Sequence, residues 1–170
     1  ITSDVHIGDP RFNTSDIIKT LQKEEYDRLI LNGDIIDIWL ADIETIKNDP
    51  LVDIIKNISK TKEVYWVLGN HDTDSDLFGD KVERVDKVAF FHNEYSFLVV
   101  HGHEVYPNKN NGWWTRILAK VSSKIYQWFG LNIQYFLRKT SLYKRKSMRM
   151  RMKLLNKYDG KYTYIIMGHT

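Results

Sequence analysis

The sequence predicts an α/β layered fold, and three observations carry that prediction. Five short runs rich in β-branched and aromatic residues stop at polar turns: RLILNGD (28–34), EVYWVLGN (63–70), KVAFFHN (87–93), YSFLVVHG (95–102) and YTYIIMGH (162–169). Continuous apolar runs of this length, ended by turn residues, read as buried strands. Segments with helical spacing separate the early runs, and strand alternating with helix is the pattern of a layered α/β domain. At 170 residues, 42% of them hydrophobic, the chain is long enough to bury one core, so a single domain over 1–170 is expected.

The elements follow in order. The opening ITSDVHIGD is read as extended. TSDIIKTLQKEEY (14–26) begins with a Thr/Ser capping signal and an early acid, which predicts a helix leading into the first apolar run. IETIKNDPLVDIIKNISK (43–60) has helical spacing, with Pro50 expected to break or restart the helix. Three strand-like runs then succeed one another to residue 102. Residues 112–157 interrupt that rhythm: helical in spacing, aromatic and basic, they read as an insertion before the last strand. Within it, Met148, Met152 and Leu155 are expected to form a packing stripe, with Arg145, Arg149 and Lys153 on a solvated face.

Charge divides the chain more sharply than its net +3 suggests. Residues 1–104 carry 11 Lys/Arg against 21 Asp/Glu, whereas residues 105–158 carry 13 Lys/Arg and no acid. Two surfaces with different partners are implied. The absence of cysteine excludes thiolate metal sites, so any metal must be held by oxygen and imidazole. No apolar run approaches the ~20 residues of a membrane span. No secretory leader is visible, which makes a cytoplasmic location the default expectation.

The predicted strand ends carry the chemistry. They deliver Asp4-Val5-His6, Gly33-Asp34 with Asp37, Gly69-Asn70-His71-Asp72, His101-Gly102-His103 and Gly168-His169. Singly, each has an ordinary explanation as a turn, a cap or a solvated histidine. Five in order at strand ends, four with glycine to let the backbone turn sharply, point to one site built from all of them. Asp4 and His6, two apart in an extended segment, would share a face and hold one ion together. Carboxylate, amide and imidazole donors suit Mn, Fe or Zn.

With these motifs in view, the sequence resembles the calcineurin-like metallophosphoesterases, whose ordered pattern is D-x-H, G-D-x-x-D, G-N-H-D/E, a His-Gly step and G-H-x-H. The resemblance spans nearly the whole chain. It implies a four-layer α/β/β/α sandwich with two divalent metal ions at the strand ends, Mn being favoured over Fe or Zn. Asp4 and His6 would bind the first ion, Asp34 would bridge, and Asn70, His101 and His169 would bind the second. A hydroxide bridging the ions would attack a phosphodiester or pyrophosphate in line. His71 would protonate the leaving oxygen, Asp72 would set the orientation of His71, and Asp37 would fix a ligand's tautomer or position. His103 is a further candidate for lining the site.

One departure bears on the metals. The pattern ends with a second histidine two positions after the first, but this sequence stops at Thr170. It therefore reads as a piece of a longer protein, trimmed at both ends, with a first metal site that is depleted in this form.

NGDIIDIW and the basic insertion between HGH and the last motif are similar to the branch containing UDP-2,3-diacylglucosamine pyrophosphohydrolases of lipid A biosynthesis, which release UMP. That resemblance implies a lipid-linked phosphate substrate beneath a helical cap. Arg145 and Arg149 would then meet the anionic head group, and the cap would touch the inner face of the membrane. Many enzymes of that branch have Arg where His71 stands, which leaves another phosphodiester or pyrophosphate open as substrate. Two readings from other classes stand beside it: a metal-dependent nuclease, for which the basic insertion would track phosphates, and a non-catalytic scaffold on the same fold. Clustering of the aromatics in helices and the acidity of the rest of the chain tell against nucleic acid.

Overall fold

The structure, a computed structural model, describes residues 1–73, 76–105 and 113–168. Two three-stranded sheets form its centre. The first takes β1 (Arg28–Asn32), β2 (Glu63–Val67) and β3 (Val82–Val85) in that order, all parallel. The second takes β4 (Lys87–His92), β5 (Tyr95–Val100) and β6 (Tyr164–Met167), with an antiparallel β4–β5 hairpin and a parallel β5–β6 pair.

Period-2 alternation sorts the strand residues into layers. Leu29, Leu31, Val64 and Trp66 face one side of the first sheet and pack with the helical residues Ile46, Leu51, Val52 and Ile55. Ile30 and Val67, on the opposite face, meet Val88 and Val99 of the second sheet. Leu98 and Val100 point outward from that second sheet and are covered by Leu154 and Tyr158. Three apolar interfaces in series make four layers: helices, sheet, sheet, helix.

The first helical layer is α1 (Thr14–Lys23), α2 (Ile43–Lys47) and α3 (Pro50–Ile58). Each begins on a side-chain cap: Asn13 accepts from the Ser15 N–H, Asp42 from Thr45 and Asp49 from Leu51. Pro50 restarts the helix at its first position, where a missing N–H loses no bond.

The crossover from β5 to β6 holds a 3-10 turn (His103–Val105), α4 (Trp113–Phe129), α5 (Ile133–Arg138) and α6 (Ser141–Tyr158). The segment expected as a cap insertion is thus partly structural, because the second half of α6 is the outer layer of the sandwich. Its packing stripe also differs from the expected one. Met150, Leu154 and Tyr158 are buried, whereas Met148, Met152 and Leu155 are each more than half exposed. Spacing alone left two faces of this helix open, and docking onto Leu98 and Val100 selects one of them. Arg145, Arg149 and Lys153 do lie exposed.

Two further readings of the sequence are corrected. Residues 82–85 form a strand that composition concealed, since VERV carries two charges. The segment carrying Asp4 and His6 follows β1 through single bridges at Thr2–Leu31 and Ile7–Ile36 but is not extended at either of these two residues, where φ is 52°.

Candidate metal centre

The site forms where the amino-terminal segment, the β1 turn, the β2 turn and the end of β5 converge. Hydrogen bonds from the Asp4 N–H to the Gly33 carbonyl and from the His6 N–H to the Asp34 carbonyl lace the first turn to the second. Asp34 itself has φ of 51°, in the left-handed region that non-glycine residues seldom occupy. Left-handed backbone at Asp4, His6 and Asp34 redirects the side chains that an extended segment would send elsewhere. Gly33 is required by packing as well as by its own φ of 78°, because a Cβ there would collide with the His101 ring. At Gly69 a Cβ would strike the Asp34 carboxylate.

Asp34 is the centre of the arrangement. Its Oδ1 accepts the His71 N–H at 2.9 Å, while its Oδ2 lies 3.4 Å from His101 Nε2 and 3.9 Å from His6 Nε2. Both imidazoles are held from behind. His6 Nδ1 is hydrogen-bonded to Asp37 Oδ2 at 3.1 Å, and His101 Nδ1 to the Asn32 carbonyl at 3.0 Å. With each Nδ1–H donated in this way, each Nε2 lone pair is directed toward the shared carboxylate, as in metal sites whose histidines are oriented by a second hydrogen bond.

Among the described residues two donor groups result, with candidate ligand atoms within 4.8 Å of one another: Asp4, Asp34 and His101, and His6, Asp34 and His71. Asp34 belongs to both. Asp4 and His6, expected to share one ion, fall into different groups, and both are in left-handed rather than extended backbone. Asn70 Oδ1 is buried without a hydrogen-bond partner. An orphaned buried amide oxygen beside carboxylates and imidazoles is what a hard or borderline divalent cation would satisfy, so the residues fit such an ion. His169, and with it the expectation of a depleted first ion, lies outside the described residues.

The electrostatics agree with this geometry. Burial acts to raise the Asp34 pKa, but His101, His71 and His6 outweigh it and hold the carboxyl well below its usual range. Asp37 behaves likewise: burial is overcome by the hydrogen bonds and charges of His6 and His71, and its pKa falls to about 2. Burial disfavours protonation of His6 and His101, yet Asp37 and Asp34 respectively are the leading influences that raise both. Burial raises Asp4, although the neighbouring Ser3 hydroxyl hydrogen-bonds to its carboxylate.

The placement of Asp72 differs from the sequence expectation. Its Oδ1 accepts the N–H groups of Ile35 and Ile36 at 2.9 and 3.0 Å; its Oδ2 accepts those of Gly69 and Asp34 at 2.7 and 2.9 Å, and the Trp66 Nε1–H at 3.3 Å. This carboxylate clamps the β2 turn to the β1 turn. The group facing His71 is instead Asp37, whose Oδ2 is 3.1 Å from His71 Nδ1.

A residue that sequence reasoning passed over completes the surroundings of His71. Trp39, buried, stacks on its ring at a centroid distance of 3.7 Å and an interplanar angle of 30°. The Trp39 N–H also donates to Asp37 Oδ1, so one carboxylate fixes the tryptophan and approaches the histidine. The signal was present in NGDIIDIW, five positions after Asp34, but an aromatic near an apolar run reads as core. Arg116 of α4 lies over the Trp39 ring at 5.9 Å, which brings a cation of the crossover to the rim of the site. Arg145 and Arg149 are exposed on α6. His103, in the 3-10 turn, has its ring 5.5 Å from that of His101, with Nδ1 buried and unpartnered; burial lowers its pKa.

Comparison with curated proteins finds no match. The model of the calcineurin-like phosphoesterase family, however, matches residues 1–170. With ligands at successive strand ends of a layered α/β domain and a carboxylate common to two donor groups, the chain belongs to the calcineurin-like phosphoesterase family, whose members hydrolyse phosphoesters with divalent metal ions.

Proposed function

We propose that this protein hydrolyses a phosphodiester or pyrophosphate bond, with two divalent ions held around Asp34 and with His71 as the acid that serves the leaving oxygen. The observation that carries the reading is the position of Asp34 Oδ2, faced by His101 Nε2 at 3.4 Å and His6 Nε2 at 3.9 Å. A carboxylate so placed is suited to bridging. Asp4, His101 and Asn70 would hold ions on one side, His6 and His71 lie on the other, and His169 is the further donor that the motif order supplies. The chemistry supplied by divalent ions at these residues is Lewis acidity toward phosphoryl oxygens and acidification of the attacking water.

The protein's own groups do the rest. Asp37 accepts the His6 Nδ1–H in a hydrogen bond and so presents Nε2 toward the metals. The same carboxylate lies 3.1 Å from His71 Nδ1, and the face of Trp39 stacks on the ring, so both fix its position. An imidazole positioned in this way is suited to proton transfer to a departing alkoxide or phosphate. His71 also belongs to one of the two donor groups and so lies near the metals. A role as acid is separated from a role as ligand by experiment: His71→Ala should depress turnover far more than metal content.

Mn²⁺ is the first ion to test, because the donors are oxygen and imidazole and the chain has no cysteine. As substrate we favour a lipid-linked pyrophosphate of the UDP-2,3-diacylglucosamine type, on the strength of NGDIIDIW and the basic crossover helices. The experiment compares UMP release from that compound with hydrolysis of bis(p-nitrophenyl) phosphate in added Mn²⁺, using a chain that continues past Thr170. Release of UMP that is lost in His71→Ala supports the full reading. Hydrolysis of only the generic diester removes the substrate and keeps the chemistry, and a metal-loaded protein that hydrolyses neither overturns both.

A further inference from the structure

Strand β4 is an open edge of the second sheet, since among the described residues only β5 pairs with it. Its ladder to β5 runs unbroken from Lys87–Val100 to His92–Tyr95, where the two-residue loop 93–94 closes the hairpin. Such a loop closes on a hydrogen-bonded pair, and in an antiparallel ladder these pairs alternate with non-bonded ones. The backbone groups of Val88, Phe90 and His92 therefore serve β5, while those of Lys87, Ala89 and Phe91 point outward with no partner among the described residues. An open row of this kind is a template for another strand, and natural edges are commonly blunted by charge, proline or a bulge. The edge strand of the first sheet, β3, carries Glu83 and Arg84. β4 has only Lys87 at its first position, and Phe91 near its end is 81% exposed.

The strand's own sequence identifies the occupant. Val88 and Phe90 face the first sheet, and alternation puts Asp86 and His92 on that side too; Lys87, Ala89 and Phe91 face the other way, with Lys87 over the Tyr158 ring of α6. Two copies related by a two-fold axis at this edge run antiparallel and set like faces side by side, so the axis must pass at a residue and not between two. With the axis at Ala89, Asp86 of each copy stands opposite His92 of the other, Lys87 opposite Phe91, and Val88 opposite Phe90. Every pair is complementary: an acid with an imidazole, a cation with an aromatic ring, and two apolar side chains. Asp86 and His92 are exposed in the single chain. Moving the axis to Phe90 sets Asp86 against Glu94, and moving it to Val88 sets Asp86 against Phe90. One register of self-pairing is thus favoured over its neighbours, a match that a strand of unrelated sequence would lack.

We propose that β4 is the interface of a two-fold dimer of this chain, in which the second sheets of two copies join edge to edge into one continuous sheet centred on Ala89. Association needs no turnover, so its test is separate from that of the hydrolytic reading. Sedimentation velocity over a concentration series should show a reversible dimer. Phe91→Lys, which sets a lysine opposite Lys87, should weaken it at least about tenfold, with circular dichroism and thermal unfolding unchanged. Asp86→Lys and His92→Glu should each weaken the dimer, and the two together should restore it, because the pair is reversed while the register is kept. The chain has no cysteine, so Ala89→Cys introduces a single thiol. Across the axis it would meet its counterpart at the ~5.5 Å Cα separation of a hydrogen-bonded pair, within disulfide reach. Mild oxidation should link Ala89→Cys into dimers and leave Glu94→Cys largely unlinked. A protein that sediments as a monomer throughout the series would overturn the proposal. So would a dimer that Phe91→Lys leaves intact, failure of the double charge variant to restore association, or linkage as efficient through Glu94→Cys as through Ala89→Cys.

Discussion

Replacing Asp72 with Asn separates two accounts of the GNHD loop. The clamp seen here has Oδ1 accepting two backbone N–H groups and Oδ2 accepting two more and the Trp66 indole. An asparagine keeps the shape but turns one acceptor into a donor. In its better orientation the amide nitrogen faces Ile35 and Ile36, leaving two buried N–H groups unpaired at about 1–3 kcal/mol each. The three remaining bonds lose their charge assistance, a further kilocalorie or so in all. The expected loss is about 3–7 kcal/mol, a large part of the roughly 5–15 kcal/mol that stabilises a typical domain. Urea unfolding of chelated protein, followed by circular dichroism, reads it directly. If Asp72→Asn unfolds within about 0.5 kcal/mol of the parent while its hydrolysis falls as far as that of His71→Ala, the clamp is refuted and Asp72 acts through His71 after all.

Four further outcomes follow from the same geometry. Asp34→Asn should abolish binding at both metal positions together, measured by calorimetry with Mn²⁺, because the carboxylate is common to the two donor groups; retention of one full equivalent would contradict a bridging role. Trp39→Leu should lower kcat more than it raises KM and leave the Mn²⁺ stoichiometry seen by calorimetry unchanged, since it removes only the ring stacked on His71. Asp37 has its pKa depressed to about 2, so its stabilising contribution is complete above the usual carboxylate value and is lost as pH falls through about 2. In chelator, the stability gap between the parent and Asp37→Asn should therefore narrow by about 2 kcal/mol between pH 5 and pH 2. On α6, Leu154→Ala should cost about 2–5 kcal/mol and Met152→Ala under about 0.5, measured by urea unfolding, the reverse of what helical spacing alone suggested.

How far the sequence revealed the molecule depended on whether the signal was local. The runs at 63–67 and 95–100 are the central strands of their sheets, and those at 28–32 and 87–92 were equally legible because their apolar and aromatic residues are continuous in the sequence. Pro50 marked the start of α3 because its missing N–H is tolerated only there. The strand at 82–85 was hidden because it lies at the edge of its sheet, where Glu83 and Arg84 can be solvated. Motif order gave the candidate donors, yet not which of them the fold draws together. Asp4 and His6 both have φ of 52°, and no sequence pattern announces a left-handed aspartate or histidine. The substitution of Asp37 for Asp72 as the neighbour of His71 has the same origin, for adjacency in the chain suggested a contact that the turn does not make.

Left-handed backbone at Asp4, His6 and Asp34 has a consequence for how this protein can change. Each such residue costs about 1–3 kcal/mol that a glycine in its place would recover. The positions proposed to carry the chemistry are thus among those where substitution relaxes the chain most, apart from the contacts that the lost side chains made. Selection for heat resistance alone, with activity unmonitored, would reward Asp4→Gly or His6→Gly and erase donors one at a time. A thermostable descendant obtained that way is expected to keep the four layers and lose its metals, and sequencing the survivors of such a screen would show whether robustness and catalysis compete for the same three residues.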